Sequence, residues 1–151
     1  MRIGLISDTH GLLRPEALDA LAGVDEIIHA GDIGGPEVIE RLRALAPVHA
    51  VRGNNDHGPW ADELPLLLLL TLGGVRVHVL HDVKELAADG TEEPFDVIVA
   101  GHSHKPTIAK RGSVLLVNPG SAGPRRFKLP VTIGYLTIED GSARAAICDL
   151  A

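Results

Sequence analysis

The sequence predicts an α/β fold from three observations. In the first third of the chain, short aliphatic strands alternate with loops and amphipathic helices, which is the pattern of successive right-handed βαβ units. Hydrophobic residues make up 45% of the 151 residues and aromatic residues only 3%, so Leu, Val, Ile and Ala must form the core. In the second half, glycine-containing turns separate short strands and indicate hairpins. A chain of this length fits one domain, 1–151, with no linker.

The first half of the chain contains three predicted strands and two predicted helices. The strand at 2–7 is apolar and runs directly into Asp8. A helix at 14–21 has Pro15 near its start, and Gly35-Pro36 opens a second helix at 37–45, because proline fits the first helical turn. The other two strands are predicted at 25–30 and 48–51.

From about residue 66 the sequence changes to strands joined by short turns. The run at 64–72 is the most apolar of the chain, is far shorter than the ~20 residues that span a bilayer, and is predicted to be a buried strand. Gly73-Gly74 joins it to a strand at 75–80, and a helical turn is predicted at 84–88. The remaining predicted strands are 95–100, 107–110, 114–117, 131–138 and 143–149.

Charge and cysteine content limit the classes of partner and compartment. The net charge of −6 argues against sequence-independent nucleic-acid binding, and basic residues cluster only at Arg125, Arg126 and Lys128. Cys148 is the single cysteine, so no intrachain disulfide forms. Without a signal segment at the start of the sequence, we expect a cytoplasmic protein with no membrane association.

Polar residues follow the ends of several predicted strands. Loops after parallel strands open on one edge of a sheet, so we expect these side chains to converge there. The set contains two carboxylates, one amide and four imidazoles: Asp8, His10, Asp32, Asn54, His81, His102 and His104.

Seven such groups exceed the needs of one ion, because a catalytic zinc-like site uses about three protein ligands. They suit two ions with Asp32 as the bridging carboxylate. Mixed nitrogen and oxygen ligands favour Mn, Fe, Zn, Co or Ni over Mg or Ca alone.

Two local motifs carry most of this hypothesis, and each has a plainer interpretation. His102 and His104 follow a buried strand with Gly101 before them, so each can give a nitrogen to one of two ions; otherwise they are solvated loop histidines. Asp8 and His10 have the same spacing, but Asp8 could also form an Asx-turn beside a solvated His10.

The order and spacing of these motifs resemble those of the calcineurin-like metallophosphoesterase superfamily. The resemblance covers the chain from residue 1 to about residue 125. The motifs that carry it are Asp8-x-His10, Gly31-Asp32, Gly53-Asn54-x-Asp56, His81 and Gly101-His102-x-His104. The short length, the D-T-H-G start and the later Asn118-Pro119-Gly120-Ser121 resemble its small prokaryotic phosphodiesterase branch.

The resemblance implies a four-layer α/β/β/α sandwich with two packed mixed sheets and a dinuclear metal centre. One ion would be held by Asp8, His10, Asp32 and His104, and the other by Asp32, Asn54, His81 and His102.

The implied reaction is hydrolysis of a small phosphodiester by a metal-bridging hydroxide, with two divalent ions as cofactors. Manganese is the favoured ion, and nickel, cobalt, iron or zinc are alternatives. Asn54 and Asp56 are the predicted catalytic residues, with Asp56 orienting Asn54 or a histidine, unless it is only a turn residue. Small members of the branch tend to self-associate, so a homo-oligomer is a further expectation.

Two positions depart from the family pattern. Asn55 stands where many members have His or Cys, and an amide cannot protonate a leaving group at neutral pH. Diesters with good leaving groups should therefore be better substrates than monoesters with poor ones. Asp82 follows His81 where the branch usually has glycine, so it could pair with a histidine, add a ligand or weaken anion binding.

Other assignments stay open at the sequence level. His29 either supports a ligand or is a buried strand histidine, and Arg125 and Arg126 either contact phosphate or are surface arginines. A metal-binding scaffold with weak or no catalysis is the alternative function, because a retromer subunit uses this fold as an interaction platform and residues 66–70 could form a patch. A nuclease is the least favoured reading.

Overall fold

The computed structural model describes residues 1–85 and 95–150, which form two five-stranded mixed sheets packed against each other. In chain order the elements are β1 (Arg2–Ile6), α1 (Pro15–Leu21), β2 (Glu26–His29), α2 (Pro36–Arg43), β3 (Val48–Ala50), α3 (Pro59–Asp62), β4 (Leu67–Leu72), β5 (Val75–Leu80), a 3₁₀ turn (Val83–Glu85), β6 (Val97–Val99), β7 (Thr107–Arg111), β8 (Val114–Asn118), β9 (Thr132–Glu139) and β10 (Ser142–Asp149). The predicted α/β class with two packed mixed sheets is confirmed.

Each sheet has a parallel centre and antiparallel margins. The first sheet has the order β10-β9-β1-β2-β3, in which β1, β2 and β3 are parallel. The second has the order β4-β5-β6-β8-β7, in which β5, β6 and β8 are parallel. The loops that follow β1, β2, β3, β5 and β6 carry the candidate ligands, so this topology determines where the site forms.

The core between the sheets is aliphatic. Ile3, Leu5 and Ile28 of the first sheet face Val77 and Val99 of the second, and all five are at most 1% exposed. A second cluster lies between the first sheet and the helices, where α1 contributes Ala17 and Leu21 and α2 contributes Val38, Ile39 and Leu42. These positions recur every three or four residues, which gives each helix one apolar face.

The outer face of the second sheet has its own small apolar cluster. Leu80, Ile98, Ala100 and Leu116 are buried there, and Val83 of the 3₁₀ turn packs against them. Within the described ranges, this 3₁₀ turn is the helical element on the outer face of the second sheet. Part of the helical turn predicted at 84–88 falls on residues 86–88, which lie outside the described residues.

The prediction that residues 64–72 form a buried strand is wrong for one face of β4. This strand is at the edge of its sheet, and Leu67 and Leu69 are 45% and 56% exposed, whereas Leu68 and Leu70 pack into the core. The alternation is invisible in the sequence because both faces consist of leucine. The short helix α3 was also not predicted.

The hairpin turns at Gly73-Gly74, Arg111-Gly112 and Asp140-Gly141 are confirmed. Among the described residues, no helix combines the length and apolar character needed to cross a bilayer.

Candidate metal centre

All seven predicted ligands lie at one edge of the two sheets. Asp8 and His10 follow β1, Asp32 follows β2, and Asn54 follows β3. His81 comes directly after β5, and the loop after β6 carries His102 and His104. The loops that follow the parallel strands of both sheets lie on the same side of the molecule. Side chains almost a hundred residues apart in the sequence therefore come together.

One group of side chains consists of Asp8, His10 and His104, whose ligand atoms all lie within 4.8 Å of one another. Nε2 of His104 is 3.4 Å from Oδ1 of Asp8, and Nε2 of His10 is 4.0 Å from the same oxygen. Asp8 and His104 are buried, and His10 is partly exposed.

A second group consists of Asp32, His81 and His102, again within 4.8 Å. Nε2 of His81 is 3.2 Å from Oδ2 of Asp32. Nδ1 of His102 is 3.3 Å from His81 Nε2 and 3.2 Å from Oδ1 of Asn54, so the amide joins this group.

Asp32 lies between the two groups. Its Oδ2 atom is 3.2 Å from His81 in one group and 3.8 Å from Nε2 of His10 in the other. A carboxylate in this place can contact two cations at once and offset their repulsion.

The residues fit a pair of cations by their unsatisfied atoms as well as by their chemistry. Oδ1 of Asp8 and Nε2 of His10 are buried and have no hydrogen-bond partner among the described residues. Leaving such a group unpaired costs roughly 1–3 kcal/mol, and a divalent cation would satisfy both atoms. Carboxylate oxygen with imidazole nitrogen is the donor set of transition-metal sites.

The electrostatics of the two carboxylates differ. Burial raises the pKa of Asp8 above its ordinary value. Burial would also raise the pKa of Asp32, but hydrogen bonds from His81 and Asn55 outweigh it and hold that pKa well below the ordinary range. Asp32 therefore stays ionised at neutral pH, as a bridging ligand must.

The histidines differ in the same way. Burial favours neutral His81, but its hydrogen bond to Asp32 and the nearby carboxylates outweigh this and raise its pKa. For His104, burial is the main effect and lowers the pKa, and the Arg126 guanidinium also acts in that direction.

Hydrogen bonds outside the two groups fix the orientation of their members. Nδ1 of His81 donates to the Ala30 carbonyl oxygen over 2.7 Å, which leaves Nε2 directed at the carboxylates. Ser7 Oγ donates to Oδ2 of Asp8 over 2.7 Å, and Asn55 donates to both oxygens of Asp32 through its backbone N and its Nδ2. Such partners commonly fix the ligands of a metal site.

The candidate ligands adopt a backbone conformation that ordinary residues rarely adopt. Seven non-glycine residues of the described ranges have positive φ, and five of them are candidate ligands: Asp8, His10, Asp32, His102 and His104. Strain of this kind persists where the surrounding structure enforces it, and it is concentrated at functional sites. The sequence carried no signal of it.

Asp56 acts on the site through the backbone. Its two carboxylate oxygens accept hydrogen bonds from the N–H groups of Ile33, Gly34 and Gly53, at 2.9 to 3.1 Å. It therefore ties the loop that carries Asp32 to the loop that carries Asn54. The sequence predicted that Asp56 orients a ligand side chain, whereas these hydrogen bonds come from backbone N–H groups.

His29, whose role the sequence left undecided, is buried and forms hydrogen bonds that join two ligand-bearing loops. Its Nδ1 accepts the Gly31 N–H at 3.1 Å, so the proton is on Nε2, which donates to Thr9 Oγ1 over 3.0 Å. Thr9 in turn donates to the Ile33 carbonyl oxygen over 2.7 Å. The link ties the Asp8 loop to the Asp32 loop, and full burial lowers the pKa of His29 to about 3.

A cleft of about 110 Å³ opens beside the second group. Its lining combines three of the candidate ligands with charged and apolar residues: Arg52, Gly53, Asn54, Leu66, His81, Asp82, Glu85 and His102. Of the alternatives for Asp82, the structure shows the pairing with a histidine, because its Oδ2 lies 3.8 Å from Nε2 of His102.

Comparison with known proteins identifies the family of this chain. Residues 1–141 match the family model of the calcineurin-like phosphoesterase superfamily domain. A probable metallophosphoesterase of Methanothermobacter thermautotrophicus is 39% identical over 142 residues, which is 86% of this chain and 82% of the relative.

Solved structures agree with the fold. The structure of a protein described as a novel archaeal phosphodiesterase matches this chain with a TM-score of 0.80 at 26% identity. The match covers 98% of this chain and 100% of that one. A single mutant of Vps29 from Entamoeba histolytica has a TM-score of 0.77 at 25% identity, with 99% of both chains covered.

Proposed function

Because this chain belongs to the calcineurin-like phosphoesterase superfamily, we propose that it is a metal-dependent phosphodiesterase with a dinuclear centre. The observation that carries the proposal is the position of Asp32 between two groups of ligand atoms. In this proposal Asp8, His10, Asp32 and His104 hold one ion, and Asp32, Asn54, His81 and His102 hold the other.

When bound, two divalent ions would supply Lewis acidity and lower the pKa of a water molecule, which are what phosphodiester hydrolysis requires. The chain supplies the positioning. His81 is fixed by the Ala30 carbonyl, and Asp32 is oriented by the two hydrogen bonds that Asn55 donates to it. Asp56 and His29 form hydrogen bonds that hold the ligand-bearing loops together. We propose manganese as the ion, with nickel, cobalt, iron or zinc as alternatives.

The substrate preference follows from Asn55. Both polar groups that Asn55 directs at the site, its backbone N–H and its Nδ2, donate to Asp32. An amide provides no acidic proton near neutral pH, so the leaving group must depart as an anion. We therefore propose small diesters with good leaving groups as the substrates.

The experiment is a metal-reconstitution assay. Protein stripped with a chelator and then given Mn²⁺ should hydrolyse bis(p-nitrophenyl) phosphate, and chelator should abolish the activity. His104→Ala and His81→Ala should each lose most of it, whereas His57→Ala, at an exposed site, should keep it. Inactivity with Mn, Ni, Co, Fe and Zn alike would refute the enzymatic proposal.

The exposed leucines next to the cleft favour a second candidate, a metal-binding interaction scaffold. Leu66, Leu67 and Leu69 are 59%, 45% and 56% exposed, and Leu67 and Leu69 lie on the outward face of β4 at the edge of the second sheet. Exposed apolar patches commonly mark protein interaction sites. The overall similarity to Vps29 agrees with this candidate.

The two candidates differ in one measurable respect. A scaffold would bind Mn²⁺ at micromolar concentration and turn over no phosphodiester with any of the five metals. A phosphodiesterase would do both. A variant with Leu67→Lys and Leu69→Lys should retain hydrolysis in the enzymatic case, because neither side chain lines the cleft.

A further inference from the structure

We propose that Arg14 and Arg125 form an anion pocket beside the metal centre that binds a second phosphate group of the substrate. The inference rests on the proposed phosphodiesterase function and narrows its substrate class. The preferred substrate would be a phosphodiester that carries another phosphate on the same small molecule.

The first observation is a cavity of about 450 Å³ that is separate from the cleft at the metal ligands. Arg14 and Arg125 both line it, together with Glu16 and the apolar side chains of Val131 and Leu150. Glu16 offsets one of the two positive charges, so the lining keeps a net positive charge in a chain of net charge −6. Paired guanidinium groups match the geometry of phosphate oxygens.

The second observation is that these guanidinium groups retain free hydrogen-bond donors. Nη2 of Arg14 donates to the Gly123 carbonyl oxygen over 3.2 Å, but its Nε is buried without a hydrogen-bond partner among the described residues. The Arg125 side chain is exposed and forms no ion pair or hydrogen bond within the same ranges, so the buried unpaired donor is Arg14 Nε. A buried donor without a partner is costly, so a bound anion would be stabilised here.

The third observation places the pocket next to the metal centre. A Cβ atom at Gly123 would collide with the carbonyl oxygens of Asp8 and Thr9, so this loop lies directly on the segment that carries Asp8. Ser121 Oγ reinforces the contact by donating to the Asp8 carbonyl oxygen over 3.1 Å. Arg125 is two residues beyond Gly123, so its Cα is within about 7 Å of it.

The first test measures binding without metal or turnover. Thymidine 3′,5′-bisphosphate is titrated calorimetrically into chelator-treated protein. We expect saturable binding that is at least about tenfold weaker in R125Q, whereas R111Q, which removes a cation at the far end of β7, should bind as the wild type does. No binding, or equal binding by wild type and R125Q, would overturn the anion pocket.

The second test asks whether the pocket serves the reaction. The substrates are the p-nitrophenyl esters of thymidine 5′-phosphate with and without a 3′-phosphate. With Mn²⁺ we expect the 3′-phosphate to lower KM at least about tenfold in wild type and in R111Q, and we expect R125Q to reduce this advantage. Equal KM values for the two esters in wild type would refute the substrate role.

The outcomes separate the two proposals. If neither ester is hydrolysed with any of the five metals, the phosphodiesterase proposal fails, and the calorimetric result still decides the pocket. If inorganic phosphate binds with the same dependence on Arg125 while the 3′-phosphate has no effect on KM, the pocket binds free anions and the substrate role is refuted.

Discussion

Asp82 and His102 face each other at the edge of the cleft, with Oδ2 of Asp82 3.8 Å from Nε2 of His102. The other ring nitrogen of His102 points at Asn54 and His81. A carboxylate behind a ligating histidine fixes the ring and raises its basicity. Asp82 departs from the family pattern, yet it stands where it would support a metal ligand.

Asp82→Asn should therefore weaken the ion held by His102 and leave the fold intact. We expect a loss of roughly 10-fold in affinity for one of two bound Mn²⁺ ions, measured by competition with a chromophoric chelator. Glu85→Gln is the matched control, because it removes an equal charge from the same cleft. Equal losses in both variants would show that Asp82 acts only through its charge.

His29 should make the metal-free protein sensitive to acid. Its pKa is lowered from 6.5 to about 3 by burial, so between these values the unfolded chain binds a proton that the folded chain excludes. Folding stability therefore falls as pH decreases through this window, by about 2 kcal/mol for this group between pH 7 and pH 5.

The measurement is urea unfolding with chelator at pH 7, 6 and 5. His29→Gln should be less stable than wild type at pH 7, because it loses the link to Thr9 and Gly31, and should lose less stability on acidification. His57→Gln, at an exposed position, should follow the wild-type curve. If the wild type and His29→Gln lose the same stability, His29 is not the acid-sensitive group.

How far the sequence predicts this molecule depends on the kind of feature. Asp8, Asp32 and His81 were found because each follows an apolar strand, and the topology of parallel strands brings such positions together. The exposed face of β4 was missed because leucine occupies both faces. The positive φ values of the ligands and the backbone contacts of Asp56 were missed because they arise from tertiary structure.

Asn55 should make the reaction depend strongly on the leaving group. Since the amide donates to Asp32 and has no proton to transfer, kcat/KM of aryl diesters should fall steeply as the pKa of the leaving phenol rises. Asn55→His adds a proton donor at this position and should flatten the slope. Asn55→Ala loses the same contact without gaining a donor and should keep the slope steep.

A flat wild-type series would contradict this account of Asn55, because another group would then be protonating the leaving oxygen. The series is measured with Mn²⁺ at saturating concentration, so that differences in metal affinity among the variants do not enter the slope.

The central claim is that Asp32 joins two groups of ligands into one centre for two ions. The most direct measurement is the number of Mn²⁺ ions per chain, obtained by equilibrium dialysis and elemental analysis. We predict two ions for wild type, one for His104→Ala, and fewer than one for Asp32→Asn. One ion or none in wild type, or two ions in Asp32→Asn, would contradict the claim.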